Sequence, residues 1–364
     1  MLNRRTARVL GITSERPGAV ELLVEVDGRQ ETAICYPDLS GSVAPGDEVL
    51  LNTTAVDLDL GTGGCHFVIC NLSRPAEDTK PSPGHIMKLR YTPLQKAVLS
   101  VEEDDNPDQK LIQEFESLDG MPVICCELHS QIAPAAAAFK ALTEHKGRIA
   151  YIMTDGAALP IGLSRLVAEL KEKELVDATI TCGQAFGGDI EAINLYTALI
   201  AAKEVAHADA VIVCQGPGNA GTGSKYGFSG IQQVEAIQAA DSLEGRAIVV
   251  FRISFADSRK RHRGISHHTF TVLELVPPWT QHLMVLPELP WEKAMFVGRQ
   301  LKREAPSRVG RELDTMDGES GLAELARKGV RVTTMGRSIE QDREFFLAAS
   351  AGGAVAAEVF LERA

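Results

Sequence analysis

The sequence predicts an α/β protein: a doubly wound, mainly parallel, Rossmann-like sheet preceded by a small all-β domain of barrel type. Three patterns carry this reading. From about residue 121, runs of five to eight residues are apolar at nearly every position, as expected of strands covered by helices on both faces. Between them lie amphipathic stretches with helical spacing, and strand then helix, repeated, implies right-handed crossovers in one sheet. The first 72 residues have no helical pattern, only short β-branched runs punctuated by turn signals.

Within residues 1–72 the strand-like runs are 19–26, 31–35, 48–54 and 66–71, separated by Pro17-Gly18, Asp27-Gly28 and Pro45-Gly46-Asp47. Residues 73–85 carry three prolines among mixed charges, the composition of a linker or strap. That opens a connecting segment, 73–120, in which 108–115 has helical spacing. The α/β domain, 121–364, then shows strand-like runs at 123–128, 149–154, 178–182, 210–214, 247–253, 282–286 and 330–335. Helices are expected over 160–173, over 190–205 with Asp189 as N-cap, and over 231–239 behind the capping-box pattern Ser229-x-x-Gln232. The stretch 345–361 is mostly Ala, Gly and Ser, interrupted by Glu358, and reads as a tightly packed core helix, too short for a bilayer span.

Charge narrows the classes of function. With 37 basic and 49 acidic residues the 364-residue chain carries −12, so its field repels nucleic acid and anionic membrane. Aromatics at 5% also argue against a single-strand RNA-binding barrel, which needs stacking platforms in a basic groove. The basic N-terminus is followed by no apolar run of signal-peptide length. Seven cysteines (Cys35, Cys65, Cys70, Cys125, Cys126, Cys182, Cys214), an odd number with no CxxC, fit free thiols in a reducing cytoplasm. Small residues over 348–357 suit a helix surface that pairs two copies, so a homodimer is expected to be possible.

In open parallel sheets ligands bind beyond the carboxyl ends of the strands, so the segments that follow each strand hold the candidates. After 210–214 comes a glycine-rich loop in which Gly216, Gly218 and Gly221 formally match GxGxxG. No acid stands at the end of the next strand, and Gly218 to Gly223 followed by Ser224-Lys225 inverts the order a Walker A loop needs. What remains is an anion nest of Gly216, Gly218, Gly221 and Gly223 with Lys225 adding charge, set against a loop that merely packs tightly. The next loop concentrates Arg259, Lys260, Arg261 and Arg263, which suits an anionic ligand, a partner's acidic surface, or plain solvation. His262, His267 and His268 follow at close spacing and His129, Asp155 and Asp189 end or follow other strands, so acid/base groups or a histidine/carboxylate metal site are open. His267 and His268 also suit the first turn of a helix capped by Ser266. Cys182 is the one thiol placed where a helix N-terminus would activate it.

The segments TDGAALP, TCGQAFGGDIEAIN, QGPGNAGTGSKYGFSG, SFADSRKRHRGISHHT and TTMGRS, with the N-terminal β region, resemble the DUF3866 family over nearly the whole chain. The resemblance implies a bacterial, soluble protein of this architecture and carries over no catalytic residue.

The expectation is therefore a cytoplasmic protein that binds a small anionic metabolite or nucleotide-like ligand at the strand carboxyl edge. Gly216, Gly218, Gly221, Gly223, Lys225, Arg259, Arg261 and Arg263 would bind; His129, Asp155, Asp189 and His267 would transfer protons or hold a metal. No specific cofactor is implied. The alternative is a non-catalytic regulatory or scaffold protein that uses the β domain and the 259–263 loop for protein contacts.

Overall fold

The computed structural model describes residues 2–60, 64–74, 84–305 and 313–363. At the N-terminus β1 (Arg4–Arg16), β2 (Ala19–Val26), β3 (Arg29–Cys35), β4 (Glu48–Asn52) and β5 (His66–Asn71) close a barrel in the order β1-β2-β3-β5-β4. Closure leaves no open edge, and Val9, Leu22, Val24, Val49, Leu51 and Val68 fill the interior. Asp27 and Gly28 both take positive φ, 49° and 76°, the conformation a two-residue hairpin turn demands. The longest strand, β1, was not expected. It is rich in charge, only Ala7 and Val9 are buried, and two irregularities break its pairing with β2, so no alternation survives. Short helices α1 (Pro37–Ser40) and α2 (Thr54–Asp57) cover the barrel loops.

The barrel docks on the α/β domain through charge. Glu21, 3% exposed, accepts from Arg16 and from Arg165, while Arg16 also donates through Nε to Gly162 O (2.6 Å) and through Nη2 to Leu163 O (3.1 Å). Leu163 packs against Ala19, Ile34 and Tyr36. A connecting hairpin, β6 (Ile86–Lys88) and β7 (Lys96–Val98), and α3 (Gln109–Gln113) follow. Lys88 is fully buried and anchors the hairpin, donating to Gly183 O and Ala192 O.

The large sheet contains β8 (Pro122–Cys125), β9 (Ile149–Thr154), β10 (Ala178–Thr181), β11 (Ile190–Glu191), β12 (Ala210–Gln215) and β13 (Arg246–Val250). A small antiparallel ribbon, β14 (Ile253–Ser254) and β15 (Gly264–Ile265), precedes its last two strands, β16 (Leu283–Pro287) and β17 (Leu313–Met316). The order is β11-β10-β9-β12-β8-β13-β16-β17 and every neighbouring pair is parallel. Alternate residues of one strand feed two cores: Val123 and Cys125 face one, Ile124 and Cys126 the other. The first core is covered by α6 (Leu195–Glu204), α7 (Gln233–Ser242), α8 (His267–Leu275) and α9 (Trp291–Glu304), the second by α4 (Ile132–Leu142), α5 (Arg165–Glu172), α10 (Glu319–Lys328) and α11 (Arg343–Arg363).

Helix α11 is long and apolar enough to cross a membrane, but 78% of its most apolar window is buried inside the domain. Its small residues serve packing: a Cβ at Gly353 would lie 2.0 Å from Ala135 O of α4, so the two helices approach as closely as backbones allow. Residues 348–357 are thus spent in the core, apart from any surface that could pair two copies.

Four expected elements differ. Residues 330–335 form no strand; Val330 and Val332 are buried, but beyond an isolated Thr334–Arg337 bridge nothing pairs, and β17 takes the edge beside β16. Helix α6 begins at Leu195 behind Asn194, whose side chain accepts from Thr197 N (3.1 Å), while residues 190–191 are strand. Ser229 opens a 3-10 turn and accepts from Ala220 N instead of capping α7. The helix expected over 160–173 divides into a 3-10 turn, Ile161–Leu163, and α5, with Ser164 as the cap.

Candidate functional site

The connection from β8 to β9 runs past β12 in one direction and that from β12 to β13 runs past β8 in the other, so the sheet's switch point lies at the carboxyl ends of β12, β8 and β13. Three buried glutamines tie these ends together. Gln131 Oε1 accepts from Glu127 N and Leu128 N (both 2.9 Å), Gln215 Nε2 donates to Glu127 O (3.1 Å), and Gln233 Nε2 donates to Cys125 O (2.7 Å) and Val250 O (3.0 Å). Glu127 Oε2, Gln215 Oε1 and Gln233 Oε1 have no donor among the described residues, and all three residues line a cavity of about 10 Å³. That volume is about one water, which could donate to two of the three.

Charged groups follow. Glu127 is 1% exposed, and its Oε1 accepts from Arg252 Nη1 (3.2 Å) and from His268 Nδ1 (2.9 Å). Asp257 is gripped by Arg259 through two bonds (2.9 and 2.7 Å), with Arg252 and Arg337 at 3.9 and 3.8 Å. Arg337 donates to Asp342, which also accepts from Ser254 Oγ (2.8 Å). Three carboxylates and three guanidinia therefore balance, as buried charge must. The Arg259 bonds hold the Asp257 carboxyl far below the usual carboxylate range against the opposing effect of burial.

Beside this network stand three imidazoles. The chain turns at Lys260–His262, pairs β14 with β15, and starts α8 behind Ser266, whose Oγ accepts from His268 N (3.2 Å). His262 Nδ1 pairs with the same Oγ at 2.8 Å. His268 stacks on Phe228 with ring centroids 3.8 Å apart. Centroids of His262, His267 and His268 lie 4.3 to 5.0 Å from one another. His267 Nε2 is buried with no hydrogen-bond partner among the described residues, an arrangement that costs about 1–3 kcal/mol if nothing else satisfies it. Burial pushes His262 down to about 3 and His267 down to about 4, with Arg252 and His268 as the next causes respectively. Both are neutral at pH 7 and poorly matched to proton transfer there.

The other expected residues are dispersed. His129 is fully committed: Nδ1–H donates to Gln215 O (3.3 Å), Nε2 accepts from Ser164 Oγ (2.7 Å), and burial pushes its pKa down to about 4. Asp155 accepts from Gln184 N (2.9 Å), which ties the loops after β9 and β10. Asp189 lies beside Thr179, accepting from its N (2.8 Å) and from Lys171, so it pins the start of β10 instead of facing the carboxyl edge. Cys182 is buried and pushed up to about 12 by burial, the reverse of an activated thiol.

The glycine-rich loop is no anion nest in this geometry. Gly216 is buried against Ala158 O, Gly218 takes φ +100°, and Gly221 pairs with Phe228 across a small exposed hairpin closed by Thr222 N to Gly227 O (2.8 Å). Gly223 sits at its exposed tip, the helix starts only at Gln233, and Lys225 points outward to Glu274 (2.6 Å). Of the basic loop, Arg259 is spent on Asp257, while Lys260, Arg261 and Arg263 are exposed and have no acidic partner among the described residues. Glu127, Arg252, Gln215 and Gln233 were not singled out beforehand: a charged or amide residue at the end of an apolar run looks like a strand exit. A second cavity, about 460 Å³, lies between β16, β17 and α9; its lining, including Leu286, Leu289, Val297, Leu301 and Leu313, contains none of the expected site residues.

Neither a curated protein nor a solved structure matches the chain. The family described as "Protein of unknown function (DUF3866)" matches residues 32–353, which spans the barrel from β3 onward and almost all of the α/β domain, including every residue of the switch-point network. The chain belongs to the DUF3866 family.

Proposed function

We propose that the switch point binds a small anionic ligand, a metabolite or nucleotide-like compound, with Arg261 and Arg263 meeting its charge and the histidine cluster facing it. One observation carries this reading. Arg252, Arg259 and Arg337 are each neutralised by a buried carboxylate, whereas Lys260, Arg261 and Arg263, beside the imidazoles, have no acidic partner among the described residues in a chain of net charge −12. The binding cations are those of the 259–263 loop, not Lys225, and the glycine loop contributes shape alone. Free cysteines, five of them buried, support a reducing compartment such as the cytoplasm.

The test is thermal unfolding with inorganic phosphate, AMP and citrate at low and high salt. A ligand at one hundred times its dissociation constant stabilises by about 2.7 kcal/mol. The double variant Arg261→Ala/Arg263→Ala should lose that stabilisation, and added salt should weaken it in the native chain. No response to any of the three, or a response the variant leaves intact, overturns the assignment. The exposure of the same loop favours one rival, a regulatory or scaffold role in which it meets an acidic protein surface. Salt-sensitive association with an acidic partner, without any small-molecule response, would decide for that rival.

A further inference from the structure

We propose that His262, His267 and His268 form a three-histidine site for a divalent transition-metal ion of the zinc class, ligated through Nε2 and oriented by Glu127 and Ser266. This goes beyond anion binding and does not depend on it. One ligating nitrogen from each ring lies within 4.8 Å of the others. Tetrahedral zinc with bonds of about 2.05 Å needs nitrogens roughly 3.4 Å apart, so the rings must swing inward by about an ångström.

The hydrogen bonds select the ligating atoms. His268 Nδ1 lies 2.9 Å from Glu127 Oε1, closer than the 3.3 Å to Arg252 Nη1, so its N–H donates to the carboxylate and Nε2 carries the lone pair. Carboxylate behind imidazole is the arrangement that fixes tautomer and ring angle in metal-bound histidines. His262 Nδ1 lies 2.8 Å from Ser266 Oγ, a hydroxyl that can accept its proton and so allows Nε2 to ligate. His267 Nε2 is the independent sign: a buried nitrogen with no partner among the described residues, in a cluster where the Nδ1 atoms of His262 and His268 are engaged. A structural role for three packed imidazoles leaves that atom unsatisfied; a metal ion satisfies it and explains why three rings gather here. The donor set is all nitrogen, which suits zinc, cobalt, nickel or copper and not magnesium or calcium. Three protein ligands leave a fourth position, the hallmark of a site that also takes water or an anion. Of the nearby cations, Arg252 is held by Glu127 and Arg259 by Asp257, whereas Arg261 adds an opposing charge at His267 that the three nitrogen bonds must outweigh.

The test uses the full chain, purified without chelator, for elemental analysis, then stripped and titrated with Zn²⁺ and with Co²⁺. The expected result is one saturable ion per chain and a tetrahedral Co²⁺ absorption spectrum. His267→Ala should weaken Zn²⁺ binding at least 100-fold, and Glu127→Gln about 10- to 100-fold with the Co²⁺ spectrum altered, since it acts through His268. His267→Ala removes the unsatisfied atom, so its stripped form should unfold no more easily than the native one. Should Glu127→Gln fail to fold, His262→Ala supplies the second variant. No saturable ion on a folded chain, or affinity unchanged in His267→Ala and His262→Ala, overturns the proposal. Loss of phosphate binding in Arg261→Ala/Arg263→Ala with metal content intact would concern only the anion reading.

Discussion

Removing Arg252 tests whether the switch point is held by ionised groups. Arg252 is 4% exposed and Glu127 1%, with Nη1 and Oε1 3.2 Å apart. At an effective dielectric constant of about 20, two unit charges at that separation attract by about 5 kcal/mol before desolvation is subtracted. Arg252→Met keeps most of the side-chain volume but strands a buried carboxylate, which costs about 3–5 kcal/mol. Glu127→Gln should cost less, about 1–2 kcal/mol, because Arg252 keeps Asp257 at 3.9 Å and the amide can still accept. With neither charge buried, the double variant should cost about 2–3 kcal/mol, well below the sum of the single costs, a coupling of about 3 kcal/mol. The assay is native-state hydrogen exchange at the amides of β8 and β13 in metal-stripped protein, because a barrel and a sheet domain need not unfold in one step. Additivity within about 0.5 kcal/mol would refute the argument, for it would mean that Glu127 is not charged against Arg252.

Two further predictions concern the frame around the site. Hydrogen bonds from Arg165 and Arg16 lower the pKa of Glu21 below its ordinary 4.5, so the clamp between barrel and sheet domain contributes stability above that pH and loses it as pH falls through the lowered value. Glu21→Gln should therefore cost about 1–3 kcal/mol at pH 7, mostly through the buried Arg16 since Arg165 is 72% exposed, and the difference from the native chain should shrink on acidification. A difference constant from pH 7 to 3 in urea unfolding would contradict it. In α11, Gly353→Ala should destabilise by about 1–3 kcal/mol despite the better helix propensity of alanine, whereas Gly298→Ala in α9, with open space at its Cβ, should stabilise by about 0.5–1 kcal/mol; chemical denaturation of the pair separates the two effects.

The parallel sheet was legible because its strands are covered on both faces. Residues 149–154 and 210–214 are apolar at nearly every position for that reason, and β9 and β12 occupy almost those spans. Edge strands were not: β17 reads Leu-Asp-Thr-Met and β11 has two residues, too short and too polar for a pattern. Conversely, 330–335 has the right alternation and no neighbour to pair with, since pairing depends on where the chain has already been. At the site, the three histidines and the basic loop were visible as composition, but their convergence rests on a 3-10 turn, a two-stranded ribbon and a serine cap acting together. The glycine loop misled because glycine density signals backbone freedom whatever its use, and here a hairpin uses it.

The place of β12 has a kinetic consequence. It lies between β8 and β9 but follows both in the chain, so two apolar parallel strands joined by α4 must hold a gap one strand wide until it arrives. Their direct pairing is the nearest trap, and escape requires breaking backbone bonds already made, which slows non-local assembly. Refolding should show β9–β10 amides protected early in pulse-labelled exchange and β8 late. Gln215, which ends β12, and Glu127, just beyond β8, would meet only in the last step, so the switch-point edge matures after the body of the sheet has formed.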